Sequence, residues 1–240
     1  MPELPMKHAV LTGAASIGAE LTGAVLTGAV QRFAQYTRVD EIWDEYLTAT
    51  AGRPDLAEPA HRKALHRWLN LAGCRIRYPR PGEPDPFDEG LAAWWRSRAG
   101  SLTDRTLAEL TDDDVDALGD CFTALAATPA ALSPAGRIRT LGPTAAAKAL
   151  HALRPHTLMP WDEAIAAHLH GARDGAAYAA HQRLGRGWAA RLLTEAGLAA
   201  DLEGALAYAD ELGRPARPLP KMLDDYCYLA ITVGADLKSP

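Results

Sequence analysis

Apolar positions recur at three- and four-residue spacing along most of the chain, and strict alternation is nearly absent. Pro59 to Ala72 shows the pattern well: Ala64, Leu65, Trp68, Leu69 and Ala72 fall on one helical face. Ile17 to Tyr36 reads as a glycine-interrupted helix, with LTGA echoed at Leu11, Leu21 and Leu26, too short an echo for a solenoid. Asp40 caps a helix to Thr50. Pro79 to Pro86 is a stiff connector, followed by a helix from Asp88 to Arg98 that carries Trp94 and Trp95. Thr111 and three aspartates open a helix to about Ala127, with acid at its positive end, and Pro129 to Pro134 breaks it. Further helices are predicted over Pro143 to Leu153, Asp162 to His170, Asp174 to Ala196, Leu202 to Leu212 and Leu219 to Thr232. Only Cys74 to Tyr78 looks briefly extended. The expected fold is all-α: a compact multi-helix array of two lobes, about 1–135 and 136–240, with a cleft between them.

A chain of 240 residues buries a sizeable core, and 48% hydrophobic with 23% charged residues is ordinary globular usage. Cys74, Cys121 and Cys227 are widely spaced, with no CxxC pair and no metal-ligand cluster, so no metal or cofactor is expected. Met6 to Val30 is too polar and glycine-rich to span a membrane and lacks a basic start. The expectation is therefore a cytoplasmic chain, a monomer, with no membrane partner.

A net charge of -5 disfavours nucleic acid at face value, but the charge is unevenly spread. Between 135 and 191 eight arginines and lysines face three acids, a surplus of five, and five of the eight histidines lie there. A basic region on an acidic body is a candidate phosphate-facing surface. Within it, Leu141-Gly142-Pro143-Thr144 reads as a tight turn opening a helix whose free N–H groups point outward, a geometry that holds phosphate. That helix ends before Pro155, and Pro160-Trp161-Asp162 opens the next, with Asp162 as a natural N-cap. Thr144, Lys148 and His151 share a helix face by spacing. His168 and His170 do not, which excludes a metal pair.

This arrangement resembles the helix-hairpin-helix DNA glycosylase superfamily, in which a glycine-containing hairpin opens a helix and a P-x-D begins the next. The resemblance covers about thirty residues and implies a helix-hairpin-helix-like element. It makes Asp162 the catalytic carboxylate and Gly142, Thr144, Lys148 and His151 the DNA contacts. It places Trp161 and, from the last helix, Asp225, Tyr226 and Tyr228 around a base pocket. The partner implied is double-stranded DNA with a flipped modified base. Two departures stand out: only Gly142 of the family's two hairpin glycines is present, and Thr144 and Ala145 occupy the place of the nucleophilic lysine. Lys148 lies about a turn later, so the resemblance implies a monofunctional enzyme with a water nucleophile, serving repair or excision of hypermodified phage bases. Two alternatives stay open: a non-catalytic DNA-binding relative, and a helical protein-interaction module.

Overall fold

The computed structural model describes residues 17–18, 21–36, 39–215 and 217–237. Residues 6–16 and 19–20 of the span read as too polar to cross a membrane, the Leu11 echo among them, and the side chain of Asp40 fall outside them. Ten α-helices are described: α1 (Gly23–Tyr36), α2 (Val39–Ala49), α3 (Pro59–Leu71), α4 (Pro86–Arg98), α5 (Asp112–Ala126), α6 (Pro143–Leu153), α7 (Glu163–His170), α8 (Gly175–Glu195), α9 (Leu202–Glu211) and α10 (Leu219–Cys227). The all-α class holds. One continuous apolar core runs from Leu21 to Leu229, and α1 packs on α10. The lobe boundary expected at 135 and 136 falls in a surface turn, with residues on both sides of it sharing that core. No described helix is long and apolar enough to cross a membrane.

The helix ends follow local chemistry. Thr111 and Asp114 form a capping box on α5, and the Asp162, Asp174 and Asp201 side chains each accept from a backbone N–H three residues on. Arg62, almost fully buried, grips the Asp88 carboxylate through Nε and Nη2 at 2.7 and 2.9 Å and so ties α3 to α4.

Three local expectations change. The segment 74–78 forms no strand. Its backbone is instead held by the Asn70 carboxamide, which accepts from the Ile76 N–H at 2.6 Å and donates to its carbonyl at 2.8 Å. The proline-rich break after α5 is a β-hairpin, β1 (Pro129–Leu132) antiparallel to β2 (Ile138–Thr140), with Ala131 opposite Arg139 and Leu132 opposite Ile138. Strands of four and three residues without a β-branched run leave too little alternation to read. The last helix loses α pitch at Tyr228 and continues as a π-turn to Val233.

The hairpin also alters the expected helix-hairpin-helix element. No short turn joins α5 to α6; residues 127–142 intervene. The chain nevertheless returns to its departure point, because Leu141 N–H donates to the Thr128 carbonyl at 2.9 Å and Gly142 N–H to the Ala126 carbonyl at 3.0 Å. Gly142 turns there with φ +78°, a left-handed value that suits glycine.

Gly119 and Gly175 face each other where α5 crosses α8. A Cβ on Gly175 would sit 2.6 Å from the Gly119 carbonyl oxygen and collide with Thr123. Gly175→Val should therefore lower unfolding free energy by about 1–3 kcal/mol. Exposed Gly187, whose Cβ would meet nothing within 4 Å, should tolerate Ala with a gain of about 0.5–1 kcal/mol. Urea unfolding checks both, and equal midpoints for the two variants would refute the crossing as a constraint.

Candidate functional site

The start of α6 and the start of α7 meet at one surface concavity. It has a volume of about 640 Å³ and is lined by Gly142, Thr144, Ala145, Lys148, Cys74 and Asp162, among others. Four of the residues expected from the sequence are thus brought together: Asp162, Gly142, Thr144 and Lys148. Pro143 has no N–H, and Ala146 N–H donates to the Gly142 carbonyl at 3.0 Å. The amides of Thr144 and Ala145 are left without acceptors among the described residues, since no side chain caps α6. They give the cavity two open donors on the positive end of a helix dipole. Lys148 Nζ donates to the Ala72 carbonyl at the C-terminus of α3, which sets its ammonium on the cavity wall.

Asp162 is half-buried. Its Oδ1 accepts from Ile165 N–H at 2.8 Å and its Oδ2 from the Thr232 hydroxyl at 2.9 Å. The π-turn supplies that hydroxyl. A carboxylate has about four lone-pair sites, so each oxygen keeps capacity toward the cavity.

What fixes Asp162 in space is a set of side chains that sequence reasoning missed. Gln182, fully buried on α8, clamps the backbone of Met159: its Oε1 accepts from Met159 N–H and its Nε2 donates to the Met159 carbonyl, both at 2.9 Å. Its neighbour His181 donates from Nε2 to the Pro160 carbonyl at 3.0 Å, and His170 Nε2 donates to His181 Nδ1 at 3.0 Å. A carbonyl only accepts, so this order of donation is the one that two neutral rings allow. Polar residues spaced along a helix gave no sign that two adjacent ones would read the backbone of a loop some twenty residues away.

The remaining expected site residues lie elsewhere. Trp161 is fully buried and packs edge-on against Phe122 and Tyr178, at centroid distances of 5.5 and 5.3 Å. Its indole N–H donates to the Pro143 carbonyl at 3.4 Å, so it anchors the site from the core and does not wall a pocket. His151 is buried and donates from Nδ1 to the Leu158 carbonyl at 2.8 Å, which removes it from any phosphate-facing surface. Asp225 is fully buried and paired with Arg217 and Lys221. Tyr226 is buried with its hydroxyl on the Ile17 carbonyl at 2.9 Å, and Tyr228 packs edge-on to Phe33. None of these five lines the Asp162 cavity. The error lay in reading a charged, aromatic helix end as a pocket wall when its charges neutralise one another inside the core.

The basic segment is likewise largely neutralised. Arg183 pairs with Asp116 and Asp112, Arg186 with Asp112, Arg173 with Glu163, Arg154 with Asp104 and Arg191 with Glu195. Arg137 and Arg139, on and beside β2, are exposed and without an ion pair among the described residues.

Burial pushes three histidines far below their ordinary value of 6.5: His151 and His181 to about 3, His170 to about 4. The unfolded chain takes up protons below pH 6.5 that the folded chain refuses, so stability is complete above that value and falls as the pH drops toward 4. Each histidine should contribute a slope of up to about 1.4 kcal/mol per pH unit. Urea midpoints at pH 7 and pH 5 measure this, and an unchanged midpoint would contradict it. Gln182→Leu should lose about 2–4 kcal/mol, because it leaves two buried backbone groups of Met159 unpaired. Thermal and urea unfolding report the loss, and a change under about 0.5 kcal/mol would show that the loop holds itself. Comparison with protein-family models, with curated proteins and with solved structures finds no match to this chain.

Proposed function

We propose that this chain is a DNA N-glycosylase that hydrolyses the bond between a modified base and its deoxyribose, with Asp162 as the catalytic carboxylate. One observation carries the reading: Asp162, the open amides of Thr144 and Ala145, and Lys148 share a single open cavity. Cleavage of an N-glycosidic bond builds positive charge on the sugar. A fixed anion stabilises that charge and orients a water for attack on the sugar carbon. The adjacent helix N-terminus suits the phosphate beside that sugar, held by backbone amides, with Lys148 adding a cation. Gly142, at φ +78°, lets the chain turn into α6 at the cavity edge. Exposed Arg137 and Arg139 extend the cationic surface toward a duplex backbone. Repair of a damaged base and removal of a hypermodified phage base both fit this chemistry.

A second reading is a DNA-binding relative without turnover. It is favoured by the engagement of both Asp162 oxygens, one as helix cap and one with Thr232.

The test is incubation with a panel of modified duplexes and phage genomes, followed by mass analysis of released bases. Asp162→Asn should reduce base release by about 100-fold or more. Asn retains a capping oxygen, so unfolding free energy should change by less than about 1 kcal/mol. Product strands should stay intact until alkali is added, and borohydride should trap little covalent complex. Trapping that disappears in Lys148→Ala would make that amine the nucleophile. Tight duplex binding with no base released from any substrate would favour the second reading.

A further inference from the structure

A second and more enclosed cavity, of about 240 Å³, lies between α2, α3, α6 and the segment 213–221. Trp43, Trp68 and His151 line it together with Arg217 and Lys221. Pockets for drug-sized ligands run from about 300 to 1,000 Å³, so this one has room for a single ring system. The two indoles meet at 64° with centroids 5.5 Å apart, and the His151 ring lies 5.6 Å from Trp43. They form an aromatic corner on the cavity wall, with the Tyr46 ring tilted against Trp43 at 5.4 Å.

The polar groups in this corner have fixed roles. His151 Nδ1 carries the proton that goes to Leu158, so Nε2 presents a bare lone pair, and no donor reaches it among the described residues. Burial, with the charges of Lys221 and Arg217 nearby, keeps that ring neutral at any ordinary pH. Lys221 directs two of its three protons at Asp224 and Asp225 and lies 4.7 Å over the Phe33 ring, so a ligand that accepts the third draws on an ammonium already held on three sides. Arg217 is tied to Asp225 through Nε and Nη2 at 2.9 and 2.6 Å. The pocket therefore offers an aromatic surface, one neutral acceptor and one cationic donor, while exposed Asp44 and half-buried Arg214 complete the polar lining.

We propose that this cavity binds one planar, amino-bearing heteroaromatic ring of nucleobase size. The ring stacks in the Trp43–Trp68 corner, gives an amino hydrogen to His151 Nε2 and accepts from Lys221. Aromatic stacking supplies affinity for any such ring, and the acceptor–donor pair selects rings with an amino group beside a ring acceptor. Cytosine and adenine types carry that edge; thymine lacks the amino group. The inference stands on this pocket alone. It joins the proposed activity only where the ring arrives attached to DNA.

Two arms of one experiment separate those sources. In the first, wild type, Asp162→Asn, Trp43→Leu and His151→Phe are titrated calorimetrically with deoxycytidine, deoxyadenosine and thymidine. In the second, the same proteins meet a duplex carrying 2-aminopurine, whose fluorescence changes when the base moves from the duplex stack to the indoles and rises further in Trp43→Leu if it is extruded without them. Wild type and Asp162→Asn should respond alike and saturably in at least one arm, with the amino-bearing nucleosides ahead of thymidine in the first. Trp43→Leu and His151→Phe should weaken the binding read from that response at least tenfold. A response in the first arm identifies a free nucleoside as ligand, and one confined to the second identifies a DNA-borne ring. No saturable response in either arm overturns the proposal, as does unweakened binding in Trp43→Leu. Trp43 is only half-buried, so that variant decides the matter alone should His151→Phe fail to give a cooperative melt. Retained ring binding in Asp162→Asn keeps the outcome separate from that of the glycosylase reading.

Discussion

The grip of Gln182 on Met159 is the constraint on which the candidate site depends. A loop that crosses the interior must satisfy its backbone groups, and residues 158–161 are fully buried with no strand or helix to pair them. One carboxamide takes both polar groups of Met159, and the next side chain along, His181, takes the carbonyl of Pro160. Once these bonds close, Trp161 has one place to go, between Phe122 and Tyr178, and Asp162 emerges at the surface where α7 begins. The Trp161 indole then reaches the Pro143 carbonyl, so the same loop registers α6 against α7. The cavity is a by-product of that registration: two helix starts held side by side, one offering amides and the other a carboxylate.

Charge is distributed by the same economy. Ions that read as a basic stripe in sequence are spent on the acidic start of α5, where Arg183 and Arg186 on α8 pair with Asp112 and Arg183 also with Asp116. Exposed pairs of this kind contribute little to stability, but they reduce the positive potential that the segment presents. The inner quartet of Arg217, Lys221, Asp224 and Asp225 differs in kind. It is buried against Phe33, where removal of one member strands the others, and it fixes the 217–225 segment beside His151.

How much of this was legible in the sequence divides by range. The helices were readable because capping and periodicity act within a few residues: Asp162, Asp174 and Thr111 each began the helix expected of them. The meeting of Gly142, Thr144, Lys148 and Asp162 was readable for a similar reason, since only the 11 residues of α6 and one short loop lie between the two helix starts. The hairpin was hidden because its strands are too short to alternate. The clamp was hidden because Gln182 and His181 act on a loop more than twenty residues away, and nothing in a polar pair marks it as buried. Trp161, Asp225 and Tyr226 were misplaced for the converse reason. Aromatic and charged side chains in a promising stretch of sequence leave the backbone in different directions, and these went into the core.

The return of Gly142 to the Ala126 carbonyl has a consequence for how this chain tolerates change. Because that bond and the one from Leu141 close the ends of the β1–β2 excursion, the geometry of α6 does not depend on the length of what lies between. The turn at 134–136 is a place where residues can be added with a closure penalty of only about 0.6 kcal/mol for each doubling of loop length. A reporter group or a longer arm inserted there would leave the start of α6 in place, since no residue of the turn lines the Asp162 cavity. The same separation leaves the tip free to vary in sequence while the carboxylate and amides beneath it stay in register.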